Sequence, residues 1–314
     1  MLKVSLIGYG YWGKKLARNF QNSEFSDIAS ICDIKKNNIL SAKKNYPLIK
    51  YFSNYKKAIN DKFINLVVIS SPTSTHYKIA KFALENNKNI LVEKPLSLSL
   101  SDVKKLNKIA KARKKMIFVD YPFLFSGTIS YLKKVIERKK FGRILEIESF
   151  REQAPIREDS NVIWDLCTHD ISILTYLLKM LPHKIHTIKR KNFKNFPIDC
   201  AYVNLKYKKN LNVLIKDSWV SAVKIRLIKI KFEKAILFCD ENESLYKIRI
   251  YRNKAKNYND KYDLEIPEID LTEPLSKMVE YIFNSIKSKK NELFENKFNE
   301  RITFLLEKIN KNND

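Results

Sequence analysis

The stretch Leu2-Lys3-Val4-Ser5-Leu6-Ile7-Gly8-Tyr9-Gly10-Tyr11-Trp12-Gly13 decides the fold. Its first half is an apolar run of strand character that stops abruptly at Gly8, and the residues after Gly13 have the composition of a helix. The chain has 314 residues and only 5 glycines. The usual share is about 7%, so three of the five at G-x-G-x-x-G spacing form a concentrated signal. Each glycine is there for its own physical reason. Gly8 permits the sharp exit from the strand, Gly10 lets backbone approach a pyrophosphate, and Gly13 lets the helix pack closely on the sheet. The free N–H groups and positive dipole end of that helix face the phosphates, with Tyr11 and Trp12 inside the grip. A dinucleotide is the expected ligand.

A second run, Ile28-Ala29-Ser30-Ile31-Cys32, ends in Asp33. Asp33 stands at the offset expected of an acid that bonds the adenosine ribose hydroxyls, which favours NAD over NADP. Lys35 and Lys36 lie close enough to weaken the exclusion of a 2′-phosphate, so NADP stays possible. The plainer alternative is a glycine turn with Asp33 as a cap; the strand–turn–helix setting speaks against it.

The bulk numbers narrow the classes. With 45% apolar residues the chain can bury a substantial core, and its length suggests two domains. The sequence shows neither an apolar run of the roughly 18 residues a membrane span needs nor a signal-peptide pattern, and a cytoplasmic location is expected. Cys32, Cys167, Cys200 and Cys239 are isolated, so reduced thiols are the default. The net charge of +26 invites a nucleic-acid reading. Against it, the 60 basic residues divide into 49 Lys and 11 Arg, and the lysines are scattered over every segment. Recognition of phosphates and bases favours bidentate Arg gathered on one face. The charge is better matched to an anionic small substrate, and no nucleic-acid partner is expected.

Taken in order, the near-continuous β-branched run Phe63 to Ile69 is what a strand buried on both faces requires. It stops at Ser70-Ser71-Pro72-Thr73-Ser74-Thr75-His76, where Thr75 is placed to cap a helix running to about Asn86. Asn89 to Val92 is the next buried strand and ends in Glu93-Lys94-Pro95; a helix to about Arg113 and the strand Met116 to Val119 close the series. Such alternation over residues 1–120 predicts an α/β domain with a doubly wound parallel sheet, its ligand crevice at the carboxyl ends of the strands. From Tyr121 the pattern changes. A helix over Ile129 to Lys140, a strand over Arg143 to Arg151 and a helix over Trp164 to Leu178 precede the segments Ala201–Tyr207, Asn212–Val220, Ile225–Phe238 and Ser244–Arg252. Their polar–apolar alternation marks a sheet with one buried face, so residues 121–314 are expected to form an α+β domain with a large open, mainly antiparallel sheet. Pro274 to Lys287 and Asn299 to Lys308 are closing amphipathic helices.

Two further clusters bear chemistry. A lysine that ends a buried strand, as Lys94 does, sits at the mouth of the crevice, and Pro95 fixes the backbone as the chain turns away. In Asp165-Leu166-Cys167-Thr168-His169 the i, i+4 spacing puts Asp165 and His169 on one helical face, where the carboxylate can orient the imidazole. His169 is then a candidate general base for a hydroxyl that loses its proton as hydride leaves carbon. A helix-start histidine bonded to backbone is the competing reading. Cys167 and His169 do not suggest a metal, because no further Cys/His pair completes a tetrahedral set.

Gly8-x-Gly10-x-x-Gly13, Ser71-Pro72-Thr73-Ser74-Thr75-His76, Glu93-Lys94-Pro95 and Asp165-x-x-x-His169 together resemble the Gfo/Idh/MocA family of glucose–fructose oxidoreductase, inositol dehydrogenase and rhizopine-catabolism proteins. The resemblance spans essentially the whole chain, including Glu273-Pro274-Leu275. It implies a Rossmann domain followed by a substrate-binding domain whose open sheet mediates a homodimer or homotetramer. The implied activity is NAD(P)-dependent oxidation of a secondary sugar or polyol hydroxyl. Carried over, Lys94 bonds the reacting oxygen and the ribose, His169 is the acid/base, and Asp165 positions substrate and His169. Ser71, Pro72, Thr73, His76 and Glu93 line the cofactor. Ser172 departs from the pattern, since many members place an Asp there. The stretch Arg151-Glu152-Gln153-Ala154-Pro155-Ile156-Arg157 looks like members acting in polysaccharide and nucleotide-sugar pathways; Arg151 and Arg157 are then candidates to meet an anionic substrate, or else surface arginines of a loop. The expected function is that of an NAD-dependent dehydrogenase of a nucleotide-linked or acidic sugar. A dehydrogenase of free sugars or polyols and a catalytically silent NAD-binding regulator are the alternatives.

Overall fold

The computed structural model describes residues 1–157, 160–253, 262–294 and 296–312. Six strands, β1 (Leu2–Ile7), β2 (Ser26–Cys32), β3 (Lys50–Phe52), β4 (Leu66–Ile69), β5 (Asn89–Glu93) and β6 (Ile117–Asp120), form a sheet in the order β3-β2-β1-β4-β5-β6 with every pairing parallel. β4 shows why: Leu66, Val67, Val68 and Ile69 are all fully buried, as a strand covered on both faces by helices must be. The covering helices include α1 (Tyr11–Gln21), α2 (Lys36–Asn45), α3 (Tyr55–Ile59), α4 (Thr73–Glu85) and α5 (Leu100–Arg113). This is the doubly wound order in which the strand order reverses beside β1, and the crevice opens there at the carboxyl ends. α4 begins two residues before Thr75, so that threonine is not the cap; its hydroxyl instead donates to Pro72 O at 2.7 Å and meets Ser71 Oγ at 2.6 Å.

Two compact units result, Met1–Phe125 with Thr272–Thr303 and Ser126–Leu271 with Phe304–Asp314. The late segment joins the first unit through apolar contacts of α8 (Pro274–Ser288) and the residues after it. Phe118, Tyr121, Phe125, Tyr281, Phe294 and Phe298 form one aromatic cluster, and Glu273 bonds Arg18 and Asn19 on α1.

The second unit is built on an eight-stranded sheet, β7 (Ile144–Glu152), β8 (Lys184–Arg190), β9 (Cys200–Lys206), β10 (Asn212–Ser218), β11 (Ile225–Phe232), β12 (Ala235–Asp240), β13 (Ile248–Asn253) and β14 (Tyr262–Glu265), in the order β14-β13-β12-β11-β7-β10-β9-β8. Only β7 and β10 pair in parallel; the other pairings are antiparallel. Burial alternates along the strands, with Val203, Leu205, Val213, Ile215, Ile230 and Leu237 on the covered face. The expected single strand Ile225–Phe238 is two strands, because the chain turns at Glu233-Lys234, where both N–H groups bond back to carbonyls of Arg143 and Phe141. The unit also holds α6 (Gly127–Glu137) and α7 (Thr168–Leu178), and the residues of α9 (Asn296–Lys311) are divided between the two units. The expected helix Trp164 to Leu178 divides: Ile163–Cys167 is a π-turn, and α7 proper starts at Thr168. Asn161 sets that start, its side-chain oxygen accepting from the N–H groups of Ile163 (3.1 Å) and Trp164 (3.2 Å). Among the described residues no helix is long and apolar enough to cross a membrane.

Candidate active site

In the first unit the strand ends collect one constellation. Gly8 adopts φ +97°, and a Cβ there would lie 2.7 Å from the Ser70 and Ser71 backbone. A Cβ on Gly13 would meet Gly8 O at 2.1 Å, so the close approach of α1 to the strand exit demands glycine. Gly10 is the contrasting case. It is the residue before α1, makes no side-chain cap, and a Cβ on it would meet nothing within 4 Å. Open space thus lies in front of a helix N-terminus that has no acid in its first turn, which fits a dinucleotide's pyrophosphate. Ser70 Oγ donates to Gly8 O at 2.7 Å and pins the turn. Tyr11 is exposed and Trp12 half-buried, and the Lys15 ammonium lies 4.4 Å from both rings.

Asp33 follows β2, and its carboxylate is held in place before any ligand arrives. Oδ2 accepts from the Tyr9 N–H at 2.7 Å and from Asn38 Nδ2 at 2.9 Å, while Oδ1 accepts from the Lys35 N–H at 2.7 Å. Three donors fix the orientation of the carboxylate and leave lone pairs for ribose hydroxyls. NAD(H) should therefore bind more tightly than NADP(H) by about tenfold or more, which corresponds to about 1.4 kcal/mol. Asp33→Asn keeps an acceptor for the Tyr9 N–H while removing the charge, and it should narrow the gap. Titration of both cofactors checks this; a clearly tighter NADP(H) in the unmodified protein would point to Lys35 and Lys36 as phosphate partners.

His76 is fully buried and acts as a strap. Its Nδ1 lies 2.8 Å from Pro95 O and its Nε2 2.9 Å from Ser71 O, tying the β4 exit to the β5 exit. Ser71, Pro72 and Thr73 lead from β4 into α4, and Glu93 and Lys94 stand at the end of β5. Glu93 is buried and is the register partner of Asp120 at the end of β6. Burial and the neighbouring Asp120 raise the Glu93 carboxyl well above the ordinary range, and burial raises Asp120 to about 6.

In the second unit Asp165 lies in the π-turn and is 8% exposed. Its Oδ2 accepts from Trp219 Nε1 at 2.9 Å, and its Oδ1 is 3.8 Å from Arg157 Nη1. Trp219, just after β10, has no signature in the local sequence pattern, because only the sheet brings it to Asp165. His169 stands in the first turn of α7, half-buried, and its carbonyl accepts from the Ser172 hydroxyl at 2.7 Å. Ser172 thus has a backbone partner at the position where an acid was expected from the resemblance.

Arg151, expected above as a contact for an anionic substrate, is 3% exposed and its charge is engaged inside the unit. Its Nε and Nη2 donate to Asp170 at 3.0 and 3.3 Å, and Ser149 Oγ donates to the same carboxylate at 2.6 Å. The physical reason lies in strand parity: Arg151 shares the inward face of β7 with Ile147 and Ser149, so it points at the helix layer and meets Asp170. Arg157 lies beyond the strand and beside Asp165.

Residues 2–121 match the family described as oxidoreductase family, NAD-binding Rossmann fold (GFO_IDH_MocA). Over those residues the chain is similar to the NAD-binding domain of the Gfo/Idh/MocA oxidoreductases. Among curated relatives, an uncharacterized oxidoreductase, YdgJ, of Escherichia coli strain K12 is 30% identical over 182 residues, 54% of this chain and 51% of the relative. The myo-inositol 2-dehydrogenase of Thermotoga maritima is 24% identical over 69% of this chain and 68% of its own length. The chain thus aligns with about half to two thirds of the length of these relatives. Among solved structures, UDP-N-acetylglucosamine 3-dehydrogenase GnnA of Acidithiobacillus ferrooxidans superposes with a TM-score of 0.85 at 19% identity, covering 98% of this chain and 96% of that one. At that identity the likeness is one of fold.

Proposed function

We propose that this protein is an NAD-dependent dehydrogenase acting on a CH–OH group of a sugar, with a nucleotide-linked or acidic sugar as substrate. The observation that carries the reading is the gathering of the Gly8–Gly13 turn, Asp33 and Lys94 at the carboxyl ends of β1, β2 and β5. When bound, the nicotinamide ring supplies the acceptor or donor of hydride. Lys94 bonds the reacting oxygen and stabilises the charge that grows on it. His169 takes or returns the hydroxyl proton, and Asp165, fixed by Trp219, holds the substrate and the imidazole in register. An anionic or nucleotide-linked sugar is supported by the +26 charge, by Arg157 and by the shared fold of the UDP-N-acetylglucosamine 3-dehydrogenase. A free polyol is the second reading, favoured by the myo-inositol 2-dehydrogenase relative. The four cysteines are free and buried, which suits a reducing, cytoplasmic setting. Thermal unfolding with NADH and a panel of nucleotide sugars, free sugars and inositols decides between them through ligand-induced stabilisation. A panel in which no sugar or polyol adds to the NADH effect, and none is turned over, would favour a silent regulator.

The same reading includes self-association. Register places Ile188, Tyr202, Phe150, Leu227, Phe238 and Tyr251 on one face of the eight-stranded sheet, none of them fully buried. Ile188 is 47% and Tyr202 39% exposed. An open face of that size, on which Glu148, Lys216 and Lys229 alternate with these apolar residues, rarely stays bare in water. A homodimer or homotetramer is expected, and light scattering at micromolar concentration that finds only the 37.1 kDa species would contradict it.

A further inference from the structure

We propose that Glu93 and Asp120 share a single proton, and that the singly charged pair is the fixed counter-charge of Lys94, which makes Asp120 a positioning residue for that lysine. The inference rests on the role given to Lys94 above, and nothing in the sequence motifs points to Asp120. The geometry begins with β5 and β6, which run in parallel and end together with Glu93 opposite Asp120. Their side chains therefore leave the same face of the sheet at the same height. The two carboxyl groups thus stand side by side at the strand ends. Glu93 is 8% and Asp120 1% exposed.

Two buried carboxylates side by side cannot both be ionised without severe repulsion. Glu93 Oε1 and Asp120 Oδ1 are moreover buried with no hydrogen-bond partner. One proton resolves both facts, because it makes one carboxyl a donor to the other and removes one of two like charges. The remaining negative charge has a cation beside it in the chain, since Lys94 follows Glu93 directly at the end of β5 and its charge lowers both carboxyls. The other titratable groups next to these strand ends are His76, held between two carbonyl oxygens, and Tyr121, which is buried and whose phenol burial keeps neutral.

The linkage has a definite sign. Both carboxyls have folded-state values above their unfolded ones, so their contribution to stability is fully present below about pH 4 and is lost as pH rises through the folded values, about 6 for Asp120. Thermal unfolding of the full chain between pH 5 and 8 tests this in the unmodified protein, Asp120→Asn and Lys94→Ala. The unmodified protein should lose at least about 2 °C relative to Asp120→Asn over that range, since each kcal/mol moves Tm by about 2–4 °C in a chain of this class. In Lys94→Ala the same loss should shift to higher pH, because the cation that favours ionisation is gone. A difference from Asp120→Asn that stays flat from pH 5 to 8 would overturn the shared proton, and an unshifted profile in Lys94→Ala would overturn the pairing with lysine. These readouts need no substrate, so they stand apart from the proposed activity, whose own failure would show as an unmodified protein that turns over no sugar. With a substrate in hand, Asp120→Leu should lower kcat about tenfold or more in the native background and by less than about threefold in Lys94→Ala, because residues in one charge network are non-additive. Equal losses in both backgrounds would mean that Asp120 serves the fold and not Lys94.

Discussion

Lys94→Ala should leave NADH affinity within a few-fold of the unmodified protein and lower turnover by about 10²- to 10³-fold, the usual loss when a fixed donor to a developing oxyanion is removed. The split follows from where each interaction sits. The pyrophosphate is expected on the N–H groups that open α1 and the adenosine ribose on Asp33, neither of which Lys94 supports. An interaction made with the reacting oxygen strengthens as charge grows there, so its loss appears in kcat. His169→Ala should cost about 10²- to 10⁴-fold in turnover, the span seen for a positioned acid or base. Asp165→Asn should cost less, because an asparagine oxygen still accepts from Trp219 Nε1 and keeps the π-turn in place. Steady-state kinetics with a sugar found by the stabilisation screen, alongside NADH titration of each variant, reads these values. If both alanine variants keep near-full turnover with unchanged cofactor affinity, the assignment of Lys94 and His169 is wrong.

Features that depend on local pattern were legible in the sequence. Gly8, Gly10 and Gly13 announce themselves because only a few backbone geometries need three glycines at that spacing, and the burial of β4 is written in its unbroken Leu66-Val67-Val68-Ile69 run. Features that depend on long-range pairing were not. Asp120 gains its importance from standing opposite Glu93, and Trp219 from reaching Asp165 across 54 residues. The i, i+4 spacing of Asp165 and His169 was read on a regular α-helix, whereas Asp165 lies in the π-turn over Ile163–Cys167 and His169 in α7. Arg151 shows the same limit. Read along the chain it is the last basic residue before a loop, and only the inward parity of β7 reveals that its charge is neutralised in the core.

That buried charge sets the largest stability effect expected in the molecule. Arg151 is bidentate on Asp170, whose side chain is fully buried, and a second aspartate, Asp217, is the register partner of Arg151 on β10. Asp217 is also fully buried, its two carboxyl oxygens lack hydrogen-bond partners, and burial together with the Asp170 charge raises its carboxyl well above the ordinary range. Burial thus holds Asp217 toward its neutral form, and the Arg151 guanidinium is balanced by its pair with Asp170. Asp170→Asn removes that balance and should destabilise the protein by about 3 kcal/mol, the lower end of the cost of breaking a buried pair. The loss stays at the lower end because Asp217, no longer beside an anion, can ionise and take over the guanidinium. Asp170→Asn with Asp217→Asn leaves Arg151 with neither acid, and the double variant should lose more than the sum of the two single ones. The sign for pH follows: a neutral buried acid stabilises most below its unfolded value and loses that contribution as pH rises through the folded one, so Asp217→Asn should gain on the unmodified protein toward alkaline pH. Urea unfolding at pH 6 and pH 8 measures all three effects. Strict additivity of the two asparagine substitutions would show that Asp217 does not feel the Arg151 charge, and a stable, well-folded Arg151→Met variant with weakened sugar affinity alone would return that arginine to the substrate.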